Sequence, residues 1–413
     1  METIIFIESS KTGAGAMAID MANRKGYHTI LMTRDRNIYT DDVTKSALQI
    51  IDCETNDLDI LIKEVCKIKS KFDIKAIITM ADMYVPQCAY VASYFGLAGL
   101  DYQSARNARN KYNMRRILDK NASNINIRYF LADNIDIALK QSQSLGFPLV
   151  AKLQEENNSF AVKLIKDTEE LVEYFRTYSK RDYNNSQQKT PRGILLEEFL
   201  PWDEYSIETI QGVNGKRYVM GVTKKHLVDF SQGHFVEQGH YFPYVGPENK
   251  LLIEATNKAL DELGINFGAA HTECKIRGKE VKIVEVNPRL AGNKIGSHLI
   301  SKSTGVCVVE KILDGALGKS IIWAPCLNKG AAIFCLCADK NGTLTEIQLP
   351  LTHHPDAFFA HSKSVGACVR VPQDNDDRIA EVIAISETGE SAYRRAKTLA
   401  SEIRLSIAAT EEA

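Results

Sequence analysis

"AAHTECKIRGKEVKIVEVNPRLAG", residues 269–292, reads as two adjacent antiparallel strands joined at Arg277–Gly278–Lys279. The strands carry carboxylates at Glu273 and Glu285, and Asn287 follows Glu285 by two. In a strand, residues i and i+2 point to the same face. Glu285 and Asn287 therefore present oxygens side by side, and Glu273 can join them from the neighbouring strand. Oxygen-only ligands of this kind suit Mg²⁺, which commonly rests on one or two carboxylates and on substrate phosphates. Arg289, two residues further on, shares that face, where a cation could stabilise a transferring phosphoryl group or an anionic intermediate. The bland reading is a surface hairpin with alternating charge. Pro288 and Gly292 argue for a shaped loop instead.

The N-terminal end offers a competing signal. "SSKTGAGAMAIDMANRKG", residues 9–26, follows the apolar strand "TIIFIES" and sets Gly13, Gly15 and Ala18 in G-x-G-x-x-A spacing. That is the dinucleotide-binding fingerprint, and Asp35 stands about 20 residues on, where an NAD-binding acid is expected. An NAD-dependent oxidoreductase is thus a rival reading, one that leaves Glu273 to Arg289 unexplained. Over the first ~100 residues strands alternate with helices, which implies a parallel α/β sheet. "SARNARNKYNMRRILDKN" reads as one basic amphipathic helix. From about residue 126 the texture becomes α+β. "GILLEEFLPWDEYSIETIQ" reads as strand, turn, strand. After ~320, "KGAAIFCLCADKNGTLTEIQL" reads as a hairpin turning at Asn341–Gly342, and "ESAYRRAKTLASEIRLSI" as a closing helix.

Composition removes several function classes. Lys and Arg number 51 against 52 Asp and Glu, so no global basic field exists to hold nucleic acid. Apolar residues are 44% and charged residues 25%, ordinary for a soluble globular chain. No apolar run approaches ~20 residues, so no membrane span is expected. The acidic N-terminus lacks the basic flank of a signal peptide. Nine scattered cysteines, without a C-x-x-C pair, read as free thiols of a reducing cytoplasm; Cys335 and Cys337 share a strand face.

Further along, Lys111 stands in "RNKYNMRRIL" and Lys152 closes the apolar strand "PLVAKL" before the polar loop "QEENNSF". Point charges of this type suit phosphates. In "LLEEFLPWDEYSIE", a hinge could read an adenine edge with its backbone, and Glu204 could accept ribose hydroxyls. Lys111, Lys152, "LEEFLPWDEYS", "HTE" and "VEVNPR" occur in the order and spacing of the ATP-grasp superfamily. "GHFVEQGHYFP", followed by "AAHTECKI" and "VEVNPRLAGNKI", resembles its L-amino acid ligase group, which includes bacilysin synthetase and the dapdiamide-forming ligase. The resemblance covers roughly residues 100–310.

The resemblance implies a mixed α/β and α+β ATP-grasp fold. Residues 1–105 would form a Rossmann-like domain, 106–205 a lid subdomain with a linker helix, 206–318 a central antiparallel-sheet catalytic subdomain and 319–413 a strand-rich C-terminal ligase domain. It implies ATP and Mg²⁺ as cofactors, two ions with Mn²⁺ able to substitute, and small-molecule carboxylate and amino-acid substrates. Nucleic acid and membrane are not expected partners; a homodimer is compatible with the superfamily. The implied activity is ATP-dependent peptide-bond formation through an acyl phosphate, in dipeptide or antibiotic synthesis. A purine-pathway or bicarbonate-using ATP-grasp enzyme is the alternative within the superfamily.

Position by position, Lys111 and Lys152 match the phosphate-binding lysines. Asn158, Ser159 and Phe160 sit where a loop covers the triphosphate, although here the loop holds no glycine. Glu197, Glu198, Phe199 and Leu200 match the adenine hinge, and Glu204 the ribose-binding acid. Glu273, Glu285 and Asn287 match the metal ligands. Arg289, Lys152 and Glu285 take the catalytic roles. Glu237, His240, Arg289 and Gly292 match the substrate pocket. His271 is expected to hydrogen-bond beside the metal strand, and His353–His354 to be a surface loop.

Overall fold

The structure, a computed structural model, describes residues 1–10, 13–228, 233–350 and 354–409. His353 lies outside the described residues. The chain opens with β1 (Glu2–Ile7), α1 (Ala14–Arg24), β2 (His28–Thr33), α2 (Asp41–Ser46), β3 (Gln49–Asp52), α3 (Leu58–Lys69), β4 (Asp73–Ile78) and α4 (Val85–Tyr94). The four strands form a parallel sheet in the order β3-β2-β1-β4. Their continuous apolar runs suit a sheet covered on both faces. Ile4, Phe6 and Leu31 pack beside Ala18, Ile19 and Ala22 of α1, while Ile5, Ile7, Ile30 and Met32 join Leu61 and Val65 of α3 and Val91 of α4. The glycines of the first loop serve the turn. Gly13 sits at φ +66°, and a Cβ on Gly15 would lie 2.3 Å from Ser9 Oγ.

The expected basic helix is two helices, α5 (Tyr102–Arg109) and α6 (Lys111–Asn121). Asn110, at φ −90° and ψ 109°, leaves the helical region, and its side chain accepts from Asn113 N. A side chain that caps a helix start competes with continuing the helix through it. The break puts Lys111 at the first turn of α6.

β5 (Tyr129–Ala132), α7 (Ile135–Leu145), β6 (Leu149–Leu153), β7 (Lys163–Ile165), α8 (Thr168–Tyr178) and β8 (Ile194–Glu198) follow. Their antiparallel sheet, ordered β5-β8-β6-β7, has its own core, including Ala138, Leu149, Ile165, Leu171, Phe175 and Leu196. The second half contains β9 (Asp203–Gln211), β10 (Arg217–Leu227), β11 (Glu237–Phe242), α9 (Asn249–Glu262), β12 (Gly268–Arg277), β13 (Glu280–Asn287), α10 (Ile300–Thr304), α11 (Val308–Ala316), β14 (Gly330–Cys337), β15 (Gly342–Gln348), β16 (Ala357–His361), β17 (Cys368–Val369), β18 (Arg378–Ser386), α12 (Gly389–Ala400) and β19 (Arg404–Ala409). One antiparallel sheet runs β13-β12-β9-β10-β11-β14-β18-β16.

This sheet is amphipathic with period two near its β13 edge. Tyr205, Ile207, Ala270, Cys274, Ile283 and Val286 face α9, where they meet Leu252, Ala255 and Ala259. The alternating residues Glu204, Glu208, His271, Glu273 and Lys275 take the other face. A bulge between Glu273 and Cys274 sets Glu285 opposite Glu273 and Ile283 opposite Cys274.

β8 and β9 flank a turn as read, and they lie in different sheets. Two local expectations are corrected. The Asn341–Gly342 step does not make a hairpin: β14 belongs to the large sheet, whereas β15 pairs with β17 and β19. The C-terminal helix ends at Ala400 and the chain returns as β19. All nine cysteines are free, with Cys335 buried and Cys337 half-buried. Among the described residues no helix is long and apolar enough to cross a membrane.

Candidate active site

The charged face of the large sheet forms one wall of a cleft of about 1290 Å³, counted to its open mouth. Glu273 and Glu285 are direct cross-strand partners. Like charges so placed repel, and burial raises the penalty further. The structure compensates with cations. Lys225 of β10 is buried and places Nζ 2.9 Å from Glu204, 2.6 Å from Glu237 and 3.0 Å from Glu273. Lys111 Nζ lies 3.0 Å from Glu285 and donates to the Glu156 carbonyl at 2.8 Å. His271 bridges Glu208 through Nδ1 at 2.8 Å and Glu273 through Nε2 at 3.1 Å. Although burial opposes its charge, those two carboxylates push the imidazole up to about 9. Burial likewise works against the Lys225 ammonium, yet Glu237, Glu273 and Glu204 raise it well above its ordinary value.

The opposite wall comes from the smaller sheet. Lys152 on β6 meets Glu197 on β8 at 2.6 Å, and Arg115 of α6 reaches the same carboxylate at 2.7 Å. Burial pushes Glu197 up, but Arg115 and Lys152 together hold it below the usual range. For Lys152, burial wins and the ammonium is pushed down. Arg115 is fully buried and also donates to the Ile283 and Val284 carbonyls, both at 2.7 Å. It thereby ties the small sheet to β13.

The parallel sheet contributes one acid. Asp82 lies 3.0 Å from Arg289 Nε. Burial opposes the Asp82 charge, but Arg289 and then Arg109 outweigh it and hold it at about 2. Over the cleft runs the 157–162 loop. Asn158, Ser159 and Ala161 adopt φ of 55°, 59° and 57°, a left-handed backbone usually reserved for glycine. The loop is held at its far side: Asn375 N donates to the Asn158 carbonyl at 3.1 Å, and Asn158 Nδ2 donates to Asp376 at 3.2 Å.

The donor set fits a hard divalent cation. Glu273, Glu285 and Asn287 offer only oxygens from one face, and the facing carboxylates already demand positive charge between them. Among the described residues no group of three or more His, Cys, Asp or Glu is arranged to hold an ion.

The family model of the ATP-grasp domain matches residues 145–297, and that of the L-amino acid ligase C-terminal domain 2 matches residues 335–408. The chain thus carries an ATP-grasp domain and is similar to the L-amino acid ligase group. It is 29% identical over 275 residues to an alanine–anticapsin ligase of Bacillus amyloliquefaciens, covering 62% of this chain and 56% of that one. The match therefore spans little more than half of that ligase. It is 24% identical over 352 residues to the protein y4rH of Sinorhizobium fredii, covering 84% of this chain and 70% of the other. An L-amino acid ligase from Bacillus licheniformis superposes with a TM-score of 0.82 at 19% identity, over 98% and 99% of the two chains.

In this ATP-grasp protein the cleft brings together Lys111, Lys152, Ser159, Glu197, Glu198, Phe199, Leu200, Glu204, Glu237, Glu273, Glu285, Asn287, Arg289 and Gly292. Two of these are placed differently from the hinge expectation. The Glu197 carboxylate is occupied by Lys152 and Arg115. Glu198 is bound to Arg128 through both its carboxylate and its N–H, leaving the Phe199–Leu200 step to face the cavity. His240 is brought near but not in. Its ring is fully buried behind Glu237, with Nε2 3.3 Å from Oε2, and it is absent from the cleft wall among the described residues. It backs the carboxylate; it does not line the pocket. Asp35 is elsewhere, accepting from Asn37 N at the start of a short 3₁₀ turn.

Lys225, Arg115, Asp82 and Arg378 escaped the sequence reading. Lys225 had a signal of sorts: a lysine pair at 224–225 in an apolar strand must send one lysine to each face. Asp82 and Arg378 come from distant segments and had none.

Proposed function

We propose that this protein is an ATP-dependent ligase that joins a carboxylate substrate to the amine of an amino acid through an acyl phosphate, releasing ADP and phosphate. A carboxylate oxygen is a poor leaving group at neutral pH, so condensation requires activation. The substrate carboxylate attacks the ATP γ-phosphoryl group; the amine then attacks the acyl carbon and phosphate departs.

The reading rests chiefly on one observation: two carboxylates in register, an amide and an arginine line one cleft together with two buried lysines, Lys111 beside Glu285 and Lys152 on the opposite wall. Phosphoryl transfer needs positioning and charge neutralisation more than covalent chemistry. Lys111 and Lys152 would exchange their carboxylate partners for phosphate oxygens. Phe199 and Leu200 would take the adenine and Glu204 the ribose. Glu273, Glu285 and Asn287 would hold Mg²⁺, proposed as two ions replaceable by Mn²⁺, which when bound neutralises the triphosphate. Arg289, oriented by Asp82, would hold the oxyanion with backbone N–H groups from Gly292 onward. Glu237, backed by His240, would meet the amino-acid substrate. The 157–162 loop would exclude water that otherwise hydrolyses the acyl phosphate. A role in dipeptide synthesis and a homodimeric assembly belong to the same proposal.

The test is phosphate release from ATP and Mg²⁺ with pools of amino acids, followed by mass spectrometry of the products. A mass equal to two amino acids less water supports the reading. Phosphate release indifferent to every added carboxylate would remove it.

A further inference from the structure

The C-terminal part of the chain brings Asn375 and Arg378 to the cleft wall. Arg378, the first residue of β18, lines the cavity beside Glu237. Its backbone follows a 3₁₀ turn, Asn375–Asp377, capped by Asp374. The turn is braced by Arg370, which reaches Asp377 at 2.9 Å and Asp374 at 3.0 Å. Asn375 Oδ1 in turn accepts from Glu237 N at 2.9 Å. Arg378 is thus presented by a built support.

Its charge balance differs from that of the other lysines and arginines on the wall. Lys111 has Glu285 at 3.0 Å, Lys152 has Glu197 at 2.6 Å, Lys275 has Glu204 at 3.3 Å and Arg289 has Asp82 at 3.0 Å. Lys225 has three carboxylates. Arg378 comes no closer than 3.8 Å to Glu237, which Lys225 already holds at 2.6 Å. Its Nε donates to the Asn375 carbonyl at 2.8 Å, while its Nη1 is buried with no hydrogen-bond partner among the described residues. The side chain stays 19% exposed where it lines the cleft, and a guanidinium so placed suits an anion.

We propose that Arg378 is the anchor for the free carboxylate of the amine-bearing amino acid. The inference rests on the ligase reading above. In that reaction the attacking amine must be neutral, so the acceptor's one remaining charge is a carboxylate that is not activated. Such a group stays negative in a largely closed cleft and requires a cation with open donors. The five other lysines and arginines on the wall are neutralised by the protein itself. The nearest carboxylate to Arg378 is Glu237, whereas Glu285 is held by Lys111, the pair assigned to the triphosphate. The C-terminal domain would therefore select amino acids over simple amines.

Equilibrium binding tests this without turnover. Each standard L-amino acid and its carboxamide is titrated into the full chain holding Mg²⁺ and a non-hydrolysable ATP analogue. At least one free acid should bind more tightly than its amide. In Arg378→Met that preference should fall by about 10- to 100-fold, the range for a hydrogen bond to a charged group. Affinity for the ATP analogue should not change. Arg378→Lys, which keeps the charge and loses the fork, should retain part of the preference. The proposal is overturned if no acid is preferred, if Arg378→Met keeps the preference, or if the variant loses the ATP analogue instead. An intact, Arg378-dependent preference with no peptide product would sink the ligase reading while leaving the anchor in place.

Discussion

The loop after β1 and the β12–β13 hairpin both look like nucleotide sites in sequence, yet they are surrounded in opposite ways. Gly13 takes a positive φ, the neighbours of Gly15 are backbone and serine oxygens, and the acid that would read a ribose, Asp35, is spent on a turn. Around Glu273 and Glu285 the neighbours are buried charged or titratable groups, Lys111 of α6, Lys225 of β10 and His271 of β12. The first loop's glycines answer a steric demand. The hairpin's carboxylates answer no folding demand at all, since apolar groups of like volume would cost less to bury. Buried charge without a structural need is the stronger sign of chemistry.

That contrast can be broken most forcefully at the hairpin. Glu285→Gln should lower amino-acid-dependent phosphate release by about 10³-fold, the scale of losing one preorganised electrostatic group, with an unchanged unfolding midpoint. Normal turnover would remove the metal assignment. Lys225→Met should destabilise the fold by about 3–5 kcal/mol in urea, because it strands Glu204, Glu237 and Glu273 without their shared cation. A loss under 1 kcal/mol would mean the charged face is more open to water than its burial indicates.

A third experiment joins the two regions, because Asp82 follows β4 of the parallel sheet and pairs with Arg289. Its folded value of about 2 lies below the ordinary 3.8. The unfolded chain therefore binds more protons between those values. This carboxylate's stabilisation is complete above pH 4 and is lost as pH falls towards 2, a change of about 2 kcal/mol. Asp82→Asn should flatten the acid limb of the stability curve by that amount; an unchanged limb would deny the pair its weight. At the loop itself, Gly15→Ala should cost about 1–3 kcal/mol by forcing Ser9 and Ser10 aside. The smallest effect is expected at Asp35→Asn, within ~0.5 kcal/mol and with no change in turnover. Saturable NAD binding abolished by that substitution would reverse the comparison.

Much of the site was legible because its ligands sit on strands, where period two fixes which residues share a face. Glu273, Glu285, Asn287 and Lys152 could be placed that way. Asn110 was a missed cap, and Asn341–Gly342 a false hairpin: its flanking strands found better partners in two other sheets. Glu197 and His240 were found as positions but not as roles, since nothing local says which carboxylate will meet a lysine or which imidazole will be walled in.

The sequence by itself determined the alternation of apolar and charged residues in β9, β12 and β13, the tight turn at Gly13 and the order of the motifs. These are local properties, set by backbone sterics and side-chain period. Only the tertiary structure decided that Lys225 would neutralise three acids, that Arg115 would lock the smaller sheet to β13, and that Asp82 and Arg378 would reach the same cleft from positions almost 300 residues apart. Those outcomes depend on which charges are buried together. Coulomb energy in a dry cleft is set by distance in space, to which separation along the chain is no guide.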